Sequence, residues 1–425
     1  MATSPPETNS TDHPPKRRWA HGGLAWIVAY VWLVSLGTGA VTDGIFFLTE
    51  SAYGYGRGLN LLLGVLSHAA YVPGALLVGP LIRRLARRTG ITPRTVLTVL
   101  TASLGGVCVA PAIVAATTAE PGPPPAWTIW LVAMIYAPLT GALWPLAESY
   151  VSGGRSGPRL TKAVGAFNLS WASAMIAAAW LMAPLVEDRP IDVLTLLGVV
   201  HLATAGLLTR FARAPGSHET GHKHIDPIAR RELPVFRVLL PASYIVMSTL
   251  TPVLSVSLAG LGVPRTWRPP LAGVWLITRV IAFVVLHRWH GWYGSRLLAP
   301  LSLAALLAAF AGALLGPQLG PGPAALTVVV GSLAVLGVAQ AAIYKASLTY
   351  VMAGSDSDVD AGGTHEALIG LGYTAGPLAG AGAAWAAGGS GLAADAAVVL
   401  AVSGLMIGVG AWALVRRAAP RDHQI

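Results

Sequence analysis

Residues 79–90 read GPLIRRLARRTG. An apolar run ends at Leu81 and Ile82, and Arg83, Arg84, Arg87 and Arg88 then arrive within six positions. Four like charges so close together suit a solvated helix face, a nucleic-acid patch, or the end of a segment that crosses a bilayer. The rest of the chain chooses among these.

Composition favours the third. The 425 residues are 54% hydrophobic and 11% charged, with a mean hydropathy of +0.63, whereas a soluble domain carries roughly 25% charged residues. The net charge of +10 does not make a nucleic-acid binder. Phosphate recognition needs Lys and Arg gathered on a wetted face, and the stretches between these charges are too apolar to leave one. The single cysteine, Cys108, sits in the apolar run LTASLGGVCVAPAIVAA, where desolvation disfavours a thiolate and packing is the expected role. The leading MATSPPETNSTDHPPKRR is polar and proline-rich. The apolar stretch behind it exceeds the core of about 7–15 residues that a signal peptide uses, so residues 1–21 are expected to stay attached as a disordered cytoplasmic tail.

A helix crossing hydrocarbon needs about 20 mostly apolar residues, because its backbone polar groups must be satisfied within the segment. Twelve such spans are expected, near 23–47, 60–82, 94–117, 126–151, 164–186, 191–210, 236–262, 270–287, 297–316, 324–350, 365–388 and 393–415. Placing the N-terminus inside puts 22 of the 28 Lys and Arg in cytoplasmic segments and four in outer loops (Arg57, Arg189, Arg265, Arg268), with Arg279 and Lys345 inside spans. That asymmetry is the one positive residues show across an inner (plasma) membrane, with both termini cytoplasmic. The longest internal polar stretch, FARAPGSHETGHKHIDPIARRELPVFR at 211–237, falls between the sixth and seventh spans. The expected organisation is a six-helix bundle over 22–211, a cytoplasmic linker at 212–234, a second bundle over 235–416 and a tail at 417–425, as in a duplicated transporter.

Between spans 2 and 3 the opening stretch resembles the signature loop of the major facilitator superfamily, roughly G-x-L-a-D-R-x-G-R-R/K. Gly79, Leu81, Arg84, Arg87 and Arg88 match in register, Arg83 stands where the family has Asp, and Ala86 where it has Gly. Two looser likenesses are KAVGAFNLSWASAMIAAAWLMAPLV entering span 5 and HEALIGLGYTAGPLAG opening span 11. The resemblance covers 22–416. It implies an all-α fold of two pseudo-symmetric six-helix bundles and alternating access, without naming a solute. In the family the acid of this loop joins a charge relay with helices 4 and 11 that shuts the cytoplasmic side. The resemblance therefore implies a cytoplasmic gate at Gly79, Arg83, Arg84, Arg87 and Arg88, with Glu148 and Glu366 as the acids of suitable depth.

Charges at bilayer depth cost at least about 2.5–3.5 kcal/mol each and persist facing the bundle interior or a wet cavity. Arg279 is the deepest. Trp275 lies one turn earlier on its face and Phe283 one turn later, and a planar guanidinium suits a carboxylate or phosphate; substrate contact and an interhelical ion pair are both open. On span 10, Gln340, Tyr344 and Ser347 share one face, while Lys345 is turned about 100° away and is expected to meet a carboxylate such as Glu366 as a gate or structural group. Glu148 follows the helix-distorting Pro145 and suits either the gate, with Arg83, Arg84 or Lys162, or a proton site. Asp43 and His68 fall at similar depth on antiparallel spans and could exchange a proton near neutral pH; an interfacial Asp capping span 1 is the alternative. Asn168 and Trp171 on span 5, with Tyr71 and Tyr244, are expected to line the path or to fasten helices, and aromatics along that path favour an amphipathic organic solute.

DSDVDAGGTHEA at 356–367 begins like a calcium loop but has Ala361 and Ala367 at its sixth and twelfth positions, where such a loop needs Gly and Glu. His218, His222 and His224 lie in a solvated linker and are expected to hold no metal. The chain has no G-x-x-x-x-G-K-[ST], H-E-x-x-H or G-x-S-x-G pattern, so neither bound ATP nor hydrolytic chemistry is expected. The expectation is a monomeric secondary transporter without cofactor, moving a small organic solute through the bilayer with protons as the coupling ion. The competing readings are a non-transporting sensor or scaffold on the same fold and a membrane-embedded enzyme.

Overall fold

The computed structural model describes residues 23–118, 122–155, 157–216, 226–354 and 359–418. The expected tail at 1–21, all of the expected tail at 417–425 beyond Ala418, the three linker histidines and the start of the calcium-like loop lie outside them; Arg417 and Ala418 instead continue the last helix. Among the described residues every regular element is helical. Eleven helical stretches are long and apolar enough to cross a membrane. The remaining long helix, Val359–Ala386, is diluted in hydropathy by its glycines and packs at the centre of the molecule, so the chain is a multi-pass membrane protein with twelve spans.

Span 1 is broken. Leu24–Gly37 runs into a π-helical stretch, Thr38–Asp43, and resumes as Ile45–Tyr53. Gly39 sits in that stretch against span 5, where an added Cβ would lie 2.6 Å from that of Ala178 and 3.0 Å from the Met175 Cα; single π turns of this kind recur at functional sites. Span 2 is Arg57–Ala69 followed by Tyr71–Thr89. The break at Ala70 precedes Pro73, whose ring cannot accept the carbonyl four residues back. The helix does not stop near residue 82 as expected. It continues to Thr89 and is capped by Gly90 at φ +69°, whose N–H bonds to the Ala86 carbonyl. The arginine run is thus the end of a helix, where cations offset the negative pole of the dipole; we call this the basic end of the molecule.

Spans 3 to 6 are Pro93–Thr117, Trp127–Ser152, Gly157–Met182 and Pro190–Leu207. Span 7, Pro227–Gly260, starts inside the stretch expected to be linker, because Asp226 accepts a hydrogen bond from the Ile228 N–H (2.8 Å) and Pro227 fills the first position. Span 8 has a short lead, Arg268–Ala272, then Val274–Arg288. Spans 9 to 12 are Leu298–Leu315, Pro323–Gly354, Val359–Ala386 and Gly391–Ala418.

The helix pairs repeat. Spans 1 and 5, 2 and 4, 3 and 6, and 3 and 4 pack together, and so do 7 and 11, 8 and 10, 9 and 12, and 9 and 10. The repeat extends to single glycines. An added Cβ at Gly141 on span 4 would fall 2.3 Å from the Tyr71 carbonyl oxygen on span 2, and one at Gly337 on span 10 would fall 2.0 Å from the Trp275 carbonyl oxygen on span 8. These are two pseudo-symmetric six-helix bundles. They meet through spans 2 and 11 on one side and 5 and 8 on the other, with further contacts of 4 with 11 and of 7 with 1 and 2. Large apolar side chains such as Leu77, Leu181, Leu301 and Leu400 point outward, as a surface facing acyl chains requires.

Candidate functional site

A cavity of about 60 Å³ lies between the bundles. The first bundle lines it with Thr38 and Thr42 on the π-helical stretch, Tyr71, Trp144 and Trp171; the second with Tyr244, Trp275, Arg279, Tyr344, Glu366 and Tyr373. Sites for drug-sized ligands measure roughly 300–1,000 Å³, so the bundles have closed on one another here.

Both ends are shut by contacts between bundles. At the end opposite the arginine run, Arg268 donates to Glu50 (2.8 Å), Arg57 pairs with Asp395, and Trp180 meets Trp267 edge-on with ring centroids 5.9 Å apart. Toward the basic end, span 11 closes on spans 2 and 4: added Cβ atoms would lie 2.7 Å from the Ala75 carbonyl oxygen at Gly363 and 3.6 Å from the Pro145 Cβ at Gly362. There the Glu148 carboxyl, on span 4, faces that of Glu366, on span 11, closely enough for the two to interact. Tyr71 donates to Glu366. Two carboxyl groups can share a hydrogen bond only when one of them carries a proton.

Arg279 is the largest side chain fully withdrawn from solvent, 1% exposed. Its guanidinium carbon lies 4.5 Å from the ring centre of Trp171, 4.9 Å from Tyr344, 5.4 Å from Phe283 and 5.6 Å from Trp275. Each is within reach of a cation–π interaction, about 2 kcal/mol or more when desolvated. Nη1 donates to Gln340 Oε1 (3.0 Å), and the Gln340 amide nitrogen in turn meets the Met247 thioether at 3.2 Å. Nε and Nη2 are buried with no hydrogen-bond partner. Among the described residues Arg279 has no ion pair. Asp43, near enough to be influenced by the guanidinium, has two carboxyl oxygens that are likewise buried without partners.

The structure brings Trp275, Gln340, Tyr344, Trp171, Tyr71 and Tyr244 together around Arg279 and the cavity. It leaves others out. Ser347 is buried with an unpartnered hydroxyl away from the lining, and Asn168 accepts from the Trp171 indole N–H at 3.3 Å, fixing that ring from behind. Asp43 and His68 do not pair: the His68 ring stacks on Tyr373 with centroids 4.6 Å apart. Glu148 meets Glu366 rather than Arg83, Arg84 or Lys162. Lys345 is half-buried, makes no ion pair among the described residues and does not reach Glu366. Gly79 is buried within the second span, and Arg83, Arg84, Arg87 and Arg88 are exposed at its end. Among the described residues no group of three metal-ligating side chains converges. Sequence reasoning missed Met247 and the closing pairs Glu50–Arg268 and Arg57–Asp395. The signal for the last was there, since Asp395 is an acid within the expected twelfth span.

No family model matches the chain, and no curated protein matches it. Solved structures do. The nucleoside transporter NupG superposes with a TM-score of 0.63 at 13% identity over 94% of this chain and 99% of that one. A bacterial homologue of the human lysosomal transporter Spinster, inward-facing and unoccupied, gives 0.60 at 13% over 93% and 95%. A POT family transporter in complex with a thioalcohol-conjugated peptide gives 0.63 at 12% over 92% and 95%. At such identities the likeness establishes the fold alone, the one these transporter structures share.

Proposed function

We propose that the chain is a secondary transporter that carries a small organic solute between its two bundles, exposing it alternately to each side, with protons as the coupling ion. The observation that carries this reading is the arrangement of the closures. A cavity lined by both bundles is sealed at its two ends by separate inter-bundle contacts, so either seal can open while the other holds. The nucleoside and peptide transporters that share the fold support it.

Proton coupling rests on Glu148 and Glu366. Losing the shared proton leaves two like charges a hydrogen bond apart in a medium of low dielectric, where repulsion is severe. Deprotonation then opens the basic end, and reprotonation closes it. The site resides in the cytoplasmic membrane with the basic end inward, the orientation that the distribution of Lys and Arg supports.

The test needs no substrate. Pro145→Cys with Gly362→Cys, 3.6 Å between Cβ positions, bridges the basic end, and Ala179→Cys with Gly273→Cys, at 3.3 Å, bridges the other once the helices give by a few tenths of an ångström; disulfides form at Cβ separations of about 3.5–4.5 Å. Cys108 is buried and leaves a silent background. In proteoliposomes both pairs should cross-link, with yields that move in opposite directions as pH changes. Yields fixed under all conditions would instead describe a rigid scaffold.

A further inference from the structure

The site described above holds one side chain whose chemistry is incomplete. Arg279 has its guanidinium plane boxed by Trp171, Tyr344, Phe283 and Trp275, and one terminal nitrogen tied to Gln340. What is left is the edge formed by Nε and Nη2, two parallel N–H donors, buried and unpartnered, beside the cavity that Arg279 lines. That edge is the side-on fork that accepts both oxygens of a carboxylate or two oxygens of a phosphate. We propose that it is the anchoring subsite for the solute, and that the solute is an aromatic monocarboxylate, its two oxygens on Nε and Nη2 and its ring among the aromatic side chains of the cavity. This rests on the transporter reading and names the substrate class for it.

The charge balance selects carboxylate over phosphate. A single guanidinium faces the cavity, while Glu366 lines it and Asp43 sits close enough to sense Arg279. A phosphate monoester brings roughly −1.5 to −2 at neutral pH, more than one cation offsets at a site that already contains acids. One carboxylate balances one guanidinium. The body of the solute follows from the walls: Phe167, Trp144, Tyr244 and Tyr373 offer ring faces and edges around the box, which suit offset or edge-on aromatic contacts.

The test is thermal shift and tryptophan fluorescence titration on the purified full chain, with phenylacetate and indole-3-acetate, their neutral amides, and phenyl phosphate. The acids should bind at least tenfold more tightly than the amides and the phosphate. Arg279→Lys keeps the charge but not the fork and should lose that preference by tenfold or more. Should that variant fail to fold, Gln340→Leu leaves the fork in place but frees its far end, and should weaken the acids while the amides are unaffected. Equal binding of acid and amide, preference for the phosphate, a preference unchanged in Arg279→Lys, or silence across the panel would each overturn the proposal. If the end-closure cross-links still respond to pH in that case, the transporter reading survives and only the solute class falls; if they do not respond, both fall.

Discussion

Glu148 and Glu366 face each other from opposite bundles as interacting carboxyl groups, and the second accepts a hydrogen bond from Tyr71. Neither faces a cation in an ion pair among the described residues. Where the signature loop that residues 79–88 resemble places an acid on the end of the second span, this chain has Arg83, and its acidic pair at the basic end lies instead between spans 4 and 11. On the proposed reading, a latch made of two acids differs from an ion pair in one consequence: a proton closes it.

Replacing either acid by its neutral isostere should therefore separate closure from pH. Glu148→Gln and Glu366→Gln keep a donor and an acceptor, so the Pro145/Gly362 cross-link should form in each with a yield that no longer changes with pH. Once a substrate is in hand, accumulation driven by a pH gradient should fall at least tenfold in both variants while solute exchange persists. Accumulation at the level of the unmodified chain in both variants would remove the pair from coupling.

The opposite end is closed by charge pairs, and there the expectation concerns population rather than protons. Arg268 bonds both Glu50 and the Val263 carbonyl, so it is held rigidly and little entropy is lost in the pairing. Glu50→Gln should cost the closed form about 1–3 kcal/mol, a roughly 5- to 150-fold shift toward opening at that end. The readout is a drop in the Ala179/Gly273 cross-link, with a matching rise at the basic end. Exchanging the charges, Glu50→Arg with Arg268→Glu, should recover most of the loss; an unchanged yield in Glu50→Gln would show the pair to be incidental.

Much of this architecture is readable from sequence because the bilayer imposes it. Backbone satisfaction within each segment fixes span length, and the arginine distribution fixes their alternation. Arg279 was visible for the same reason, as a charge too deep to reach water. Pairings between spans were not visible. Asp395 meets Arg57 across 338 positions of chain, and helical spacing on one span says nothing about which neighbour covers it. That is why Gln340 and Tyr344 reach the guanidinium while Ser347, on the same face one turn on, is buried elsewhere. The π-helical stretch at Thr38–Asp43 has no sequence period of its own.

The paired glycines allow a prediction whose sign changes along one helix. At Gly337 a methyl group would meet the Trp275 carbonyl oxygen at 2.0 Å and the Thr278 hydroxyl at 2.2 Å. Backbone cannot swing aside, so Gly337→Ala should lose about 3 kcal/mol, the upper part of the range for overpacking. It should also displace Trp275 from the guanidinium. Gly331, six residues earlier on the same helix, has nothing within 4 Å of an added Cβ, and Gly331→Ala should gain roughly 0.5–1 kcal/mol from helix propensity alone. Detergent-phase melting of the two variants decides it: similar melting temperatures would mean that spans 8 and 10 are not held as closely as described.

Outside the membrane, the loop after span 8 is tied to the start of span 7. The Tyr293 hydroxyl donates to Asp226, whose other carboxylate oxygen caps the helix through the Ile228 N–H. Burial, and then the Asp226 carboxylate that accepts its proton, push the Tyr293 phenol well above its ordinary value. A group raised in this way contributes stability that is fully present below its unfolded value, about 10 for Tyr, and that is lost as pH rises through the folded value. The melting temperature should therefore hold through neutral pH and fall only in strong alkali. Tyr293→Phe should abolish that alkaline component while melting earlier at neutral pH. Asp226→Ala should cost about 1 kcal/mol more through the lost cap, so a melting temperature for Asp226→Ala no lower than that of Tyr293→Phe at pH 7 would mean that the tether, and not the cap, is what holds this end of the helix.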